Sequence, residues 1–188
     1  VKASKEEVYE ILSDALGLAR WWPSVYLDIR ILKNGDSLGR GKIVELFTKG
    51  WLPYTLQWSF EVKEVDKPNG FTIIPSGDFR GRGIWTFSQD PRDHQWCNII
   101  YDWKIEAQKP LLRKLTFLIR PVFSANHLWA MRKGEESLKL ELLRRNSSTE
   151  FESDMIPNPP RPTFPHNLMN NKIFQSKKNK LQEPAVNS

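Results

Sequence analysis

Cysteine is nearly absent from this chain: Cys97 is the one thiol in 188 residues. A lone thiol excludes an internal disulfide and any cysteine-based zinc cage. It also fits a reducing compartment, so a cytoplasmic location is expected. Long apolar runs are missing as well, which argues against a membrane-spanning helix. The opening residues, VKASKEEVYE, lack the basic-then-apolar pattern of a secretory leader. They also lack an initiating Met, as a piece of a longer protein would. Phosphate-cradling loops are not found. Gly39-Arg40-Gly41 and Gly81-Arg82-Gly83 neither precede a helix start nor continue into Gly-Lys-Ser/Thr. No cofactor is therefore implied. No metal site is expected either, because no second histidine or carboxylate stands at ligand spacing from His127.

Large rings are plentiful instead. Eight Trp and ten Phe are more than a domain of this size needs for packing, so they call for a core or a cavity to line. Every Trp lies before residue 145. Residues 146–188 are rich in Asn, Ser, Pro and Lys and keep neither a period of 2 nor one of 3.6. Such a segment buries too little apolar surface to offset chain entropy, and a disordered tail is expected there. Within it, IPNPPRPTFP (156–165) favours extended polyproline conformations. Net charge is +6, with nine basic against three acidic residues over 109–145.

Ser4 and Glu7 form a capping box, and Val8, Ile11, Leu12 and Ala15 follow at helical spacing. A first helix is predicted over about 5–16, stopped at Gly17, with a short extra turn over 18–22 before Pro23. From Val25 the period becomes 2: Val25, Leu27, Ile29 and Ile31 alternate with Tyr26, Asp28 and Arg30. Further strands are predicted over 42–49, 56–63, 71–74, 79–88 and 96–106, each joined to the next by a short turn. Leu56, Trp58, Phe60 and Val62 alternate with Gln57, Ser59, Glu61 and Lys63, the mark of an antiparallel sheet with one wet face.

Helical spacing returns after residue 109, with Pro121 suited to a first turn. At 100° per residue Phe123, His127, Ala130, Met131, Gly134, Leu138 and Leu142 fall on one stripe. Helix, strand meander and long helix in that order describe an α+β domain over 1–145: a curved antiparallel sheet wrapped around a long C-terminal α-helix, with short N-terminal helices. A strand is expected before Val1, and residues 1–3 read as its end.

Four stretches carry a family likeness: VYEILSDALGLARWWP (8–23), GDFRGRGIWTF (77–87), Tyr101-Asp102-Trp103, and IRPVFSANHLWAMRKGEESLKLELLRR (119–145). In order and spacing the chain resembles the START-like (SRPBCC) superfamily, within it the polyketide cyclase/dehydrase and lipid-transport group. The resemblance covers most of 1–145 and none of the tail. It implies a helix-grip fold with a deep cavity between sheet and final helix. It also implies binding of lipids, sterols, polyketides or similar apolar molecules, with catalysis in some members. The missing first strand is the one departure.

The residues themselves name candidates. Trp58, Phe60, Phe79, Trp85, Phe87, Tyr101 and Trp103 share the inward face and would contact a ligand, with His127 and Met131 opposite. Gly81, Gly83 and Gly134 also face inward and would leave either open space or a close approach. About 300 Å² of ligand buried at about 25 cal/mol/Å² is worth roughly 7 kcal/mol before entropic costs. Carriage of a hydrophobic small molecule is therefore the expected function. The alternative is an enzyme using His127 with Tyr101 or Asp102 for proton transfer, although strict alternation points Asp102 outward. The resemblance implies that the Trp21-Trp22 region borders the cavity mouth, one of the pair in the core and the other at the entrance. Trp51-Leu52 could form a second mouth loop, and exposed tryptophans there would suit docking on a membrane surface or a partner. Anionic membrane or nucleic-acid binding through 109–145 and Lys177-Lys178-Asn179-Lys180 is a third class, nucleic acid being the least favoured partner. Oligomeric state is not legible.

Overall fold

The computed structural model describes residues 1–107, 110–164 and 166, and side chains within these except over 106–120. Six strands follow one another in space as in sequence, β1 (Tyr26–Lys33), β2 (Ile43–Lys49), β3 (Thr55–Asp66), β4 (Gly70–Gly77), β5 (Phe79–Gln89) and β6 (Cys97–Ala107). Every neighbouring pair is antiparallel. Two short helices, α1 (Lys5–Ser13) and α2 (Leu18–Trp21), precede the curved sheet, and a long one, α3 (Pro110–Arg145), follows it. The protein is thus α+β, with helices packed on one face of an antiparallel meander.

The N-terminal helix starts where its capping box places it: Glu7 N–H donates to Ser4 Oγ and Ser4 N–H to Glu7 Oε2. It ends earlier than the sequence suggests, at Ser13. Gly17 instead sits at the N-terminus of α2 in right-handed conformation, so it stops nothing. Upstream, Val1 exchanges hydrogen bonds with Cys97 at the free edge of β6, and Lys2 pairs with Trp96. Residues 1 and 2 thus form an isolated antiparallel bridge and not a strand of the sheet.

The β1 register is not the predicted one. Tyr26 pairs with Thr48 but Asp28 pairs with Phe47, so a bulge at Leu27 inserts one residue. The bulge turns Tyr26 inward together with Val25 and Ile29, against the strict alternation read from the sequence. In β3 the alternation holds, with Leu56, Trp58 and Phe60 buried.

Helix α3 is longer than predicted. It begins at Pro110, and Pro121 lies inside it, where its missing N–H removes a bond to the preceding turn. Pro110 takes the first helical position, where no such bond is lost. The predicted stripe faces the sheet: Leu138 and Leu142 join Val8, Ile11, Leu12, Trp21, Trp22 and Phe87 in the main core. Glu141, also buried, accepts two bonds from Arg20 at 2.6 and 2.7 Å and one from Arg145 at 3.0 Å, tying α3 to α2.

Over its first part, the segment expected to be a disordered tail carries structure. Thr149 caps a short helix, α4 (Glu150–Asp154). The chain then runs back along the domain: Arg144 donates to the Ile156 and Pro157 carbonyls, and Lys49 Nζ to those of Thr163 and Phe164. Prolines lower the ordering cost of this stretch, and charged donors satisfy its carbonyls. The remainder of the tail, including 177–180, lies outside the described residues.

Candidate functional site

Two cavities open on the inward face of the sheet. The larger, about 870 Å³, lies between β2, β3, β5, β6 and α3. The smaller, about 540 Å³, lies beneath α1, α2 and the β1–β2 turn. Trp22, Tyr26, Trp58 and Tyr101 line both and so form a common wall.

Cross-strand pairing builds that wall. Trp85 opposes Tyr101 and Gly83 opposes Trp103. Their rings form a continuous run: Tyr101 stacks on Trp85 at 3.9 Å and on Trp103 at 5.2 Å, and Trp103 meets Trp58 at 5.6 Å. Phe79 closes edge-on against Trp58 at 5.4 Å. Trp58 is fixed further by its indole N–H, which donates to Thr48 Oγ1 at 3.0 Å in the interior. On the opposite side α3 contributes Phe123, Ser124, Asn126, His127, Leu128, Ala130 and Met131. Asn126 Oδ1 accepts from Leu52 N–H, pinning the helix to the β2–β3 turn.

The predicted ligand contacts therefore divide. Trp58, Phe79, Tyr101, Trp103, His127 and Met131 line the larger cavity, whereas Phe60 and Trp85 line only the smaller. Phe87 lines neither; it is packed in the core against Tyr9. The glycines mark close approach, not open space. A Cβ on Gly83 would sit 2.7 Å from the Trp103 ring, and one on Gly134 would sit 2.3 Å from that of Trp22. Gly81, at φ +145°, would place its Cβ against the Lys104 carbonyl. Gly83 thus lets the Trp103 indole lie flat over β5, and Gly134 lets α3 settle on α2.

Of the acid–base candidates, Asp102 is on the outer face, paired with Lys104 at 2.9 Å, and has no access to either cavity. Tyr101 and His127 do meet the same cavity from opposite walls. Burial pushes the Tyr101 phenol well up, with the neighbouring Tyr26 adding to it, so it remains a proton donor. His127 is exposed at the cavity, and partial desolvation holds its imidazole below the usual histidine value, which favours the neutral ring.

Of Trp21 and Trp22 one is expected in the core and the other at the entrance; both are core residues, at 1% and 4% exposure. They stack on each other at 5.6 Å, and the Trp22 indole N–H is buried without a hydrogen-bond partner among the described residues. Trp51 remains exposed beside the larger cavity's Gly50. The basic face of α3 is largely spoken for: Lys133, Lys139 and Arg145 pair with Glu136, Glu135 and Glu141. The side chains of 109–120 lie outside the described residues. Among the described residues no helix is long and apolar enough to cross a membrane.

Several lining residues of the larger cavity were not named as ligand contacts by the sequence reading, and two of them show why. Tyr26 comes inward through the Leu27 bulge. Lys49 ends β2 and is 2% exposed, covered by residues 163–164. A lysine before a glycine reads as a solvated strand end, and its cover comes from more than a hundred residues downstream.

No protein-family model matches the chain, and no curated protein matches it. Among solved structures, a structural-genomics protein from Rhodobacter sphaeroides superposes with a TM-score of 0.46 at 11% identity, over 75% of this chain and 85% of that one. Protein Ms6760 from Mycobacterium smegmatis superposes with a TM-score of 0.44 at 18% identity, over 66% and 78% respectively.

Proposed function

We propose that the chain is a START-like, helix-grip protein that binds a hydrophobic small molecule between its sheet and α3. The observation that carries this reading is the larger cavity: about 870 Å³, within the usual size range of small-molecule sites, and walled mainly by aromatic and aliphatic side chains. Its few polar groups, among them Thr48, Asn126, His127 and Tyr101, would orient a guest and not dissolve it. Flat or polycyclic apolar molecules suit the run of rings across β3, β5 and β6. The test is titration of tryptophan emission with quinones, fatty acids and polyketide-like aromatics, alongside native mass spectrometry of the purified protein. Saturable quenching at micromolar concentration is expected. No emission change with any of them, and no co-purifying mass, would remove the reading.

A second reading is supported by Tyr101 and His127 meeting in one cavity: a cyclase- or dehydratase-like enzyme with a phenol donor and a neutral imidazole base. Acid–base catalysis of this kind contributes roughly 10²- to 10⁴-fold, so His127→Ala should lower turnover of a converted substrate by that factor. Full turnover in that variant would exclude His127 from the chemistry.

A further inference from the structure

We infer that the guest of the larger cavity is an amphiphile with one anionic group, held by the Lys49 ammonium at the end of β2. The inference rests on the reading that this cavity takes an apolar guest, and it adds the guest's charge. Among the described residues that line the cavity, Lys49 is the one lysine or arginine, and none is acidic. Among the described residues Lys49 forms no ion pair with a carboxylate. Its hydrogen bonds go to two backbone carbonyls, Phe164 at 2.9 Å and Thr163 at 3.0 Å.

Among the described residues that arrangement leaves a charge out of water without a counter-charge, which is expensive in a protein interior. An ammonium has three N–H donors, and two of them are occupied. The third has no partner among the described residues. The carbonyl dipoles favour the protonated amine, while burial depresses its pKa. His166, a described neighbour, brings no negative charge: its imidazole is pushed down by burial and by Lys49 itself. A lysine serving only to tether residues 163–164 would be served better by an acidic neighbour on the cavity wall. None is there among the described residues, and a carboxylate or sulfonate entering with an apolar body would complete the site. The body would lie on Trp58, Phe79 and Trp103, and the anion would sit at the Lys49 end, under the cover of the C-terminal segment.

The test uses the full chain and two dyes with the same ring system, 8-anilinonaphthalene-1-sulfonate and neutral N-phenyl-1-naphthylamine. Simple partitioning into an apolar cavity favours the neutral dye, so a preference for the anion runs against it. The wild-type protein is expected to bind the sulfonate at least about tenfold more tightly. Lys49→Met should bring the ratio down to about one or below, and Lys49→Arg should keep it. Dodecanoate should displace the sulfonate dye at concentrations where dodecan-1-ol does not; this arm needs no variant and stands if Lys49→Met fails to fold. Equal binding of the two dyes by the wild type, or an unchanged ratio in a folded Lys49→Met protein, would overturn the inference while leaving the apolar cavity intact. Binding of neither dye and neither twelve-carbon chain would defeat the cavity reading itself, and this inference with it.

Discussion

Replacing Glu141 by Gln should lower the stability of the fold more than its position near the end of a surface helix suggests. The carboxylate is 2% exposed, receives a two-pronged contact from Arg20, and takes a third bond from Arg145. Burial alone would push its pKa up. The hydrogen bonds and charges of the two arginines outweigh this and hold it below the usual glutamate value. Gln keeps the shape but not the charge: one carboxylate oxygen becomes an NH2 that cannot accept, so at least one of the three bonds is lost and the rest go to a neutral acceptor. Breaking a buried pair costs about 3–5 kcal/mol, but Arg20 is 58% exposed and rehydrates, so about 2–3 kcal/mol is expected here. In a chain of this size that lowers Tm by about 5–10 °C. Because the folded-state pKa is depressed, the ionised group stabilises the fold above its unfolded value of about 4.3, and that contribution is lost as pH falls through the folded value. The gap between wild type and Glu141→Gln should therefore be full at pH 7 and shrink in acid. Urea melts from pH 7 to pH 3 measure both quantities. Coincident melts at pH 7, or a gap independent of pH, would refute the argument.

Gly134→Ala should destabilise the protein, although alanine is the better helix former by about 1 kcal/mol. Its Cβ would lie 2.3–2.6 Å from three atoms of the buried Trp22 ring, and overpacking of this kind costs about 1–3 kcal/mol; a denaturant midpoint higher than wild type would show the ring can yield. His127 should titrate below about 6.5 by NMR, since desolvation depresses its folded-state pKa. The unfolded chain then takes up the proton first, so this residue subtracts stability as pH falls below about 6.5 and ceases to add to the loss below its folded value; a midpoint above 6.5 would contradict the burial argument.

The elements best read from sequence are those whose periodicity is set by one continuous face. In β3 alternate residues meet the core along most of the strand, and in α3 Leu138 and Leu142 fall four apart on the buried stripe. What stayed illegible depends on partners distant in sequence. The Leu27 bulge inverts Tyr26, but it arises in the pairing of β1 with β2, and no residue at 26–28 announces it. Gly83 and Gly134 were identified as inward-facing, yet whether an inward glycine leaves space or admits a neighbour is decided by Trp103 and Trp22, each on another element. Pro121 marked a helix start because a helix interior disfavours proline, whereas α3 runs through it from Pro110. The burial of Lys49 depends on residues 163–164, in a segment whose composition argued against any structure.

The two sides of the wall between the cavities are held by different means, with consequences for how each would respond to change. On the sheet side Trp58 and Tyr101 belong to hydrogen-bonded strands. Trp58 is anchored to Thr48, and Tyr101 is stacked between Trp85 and Trp103. On the helix side Trp22 directly follows α2, a single helical turn, and its indole N–H has no partner among the described residues. That side is held by stacking with Trp21, an edge contact with Tyr26 of β1 at 5.1 Å, contact with Gly134, and the Arg20–Glu141 pair joining α2 to α3. Loosening the pair should therefore act on the cavities from the Trp22 side, leaving the run of rings on the sheet in place. The ion pair, remote from any ligand contact, would then govern how far Trp22 can move between the two cavities.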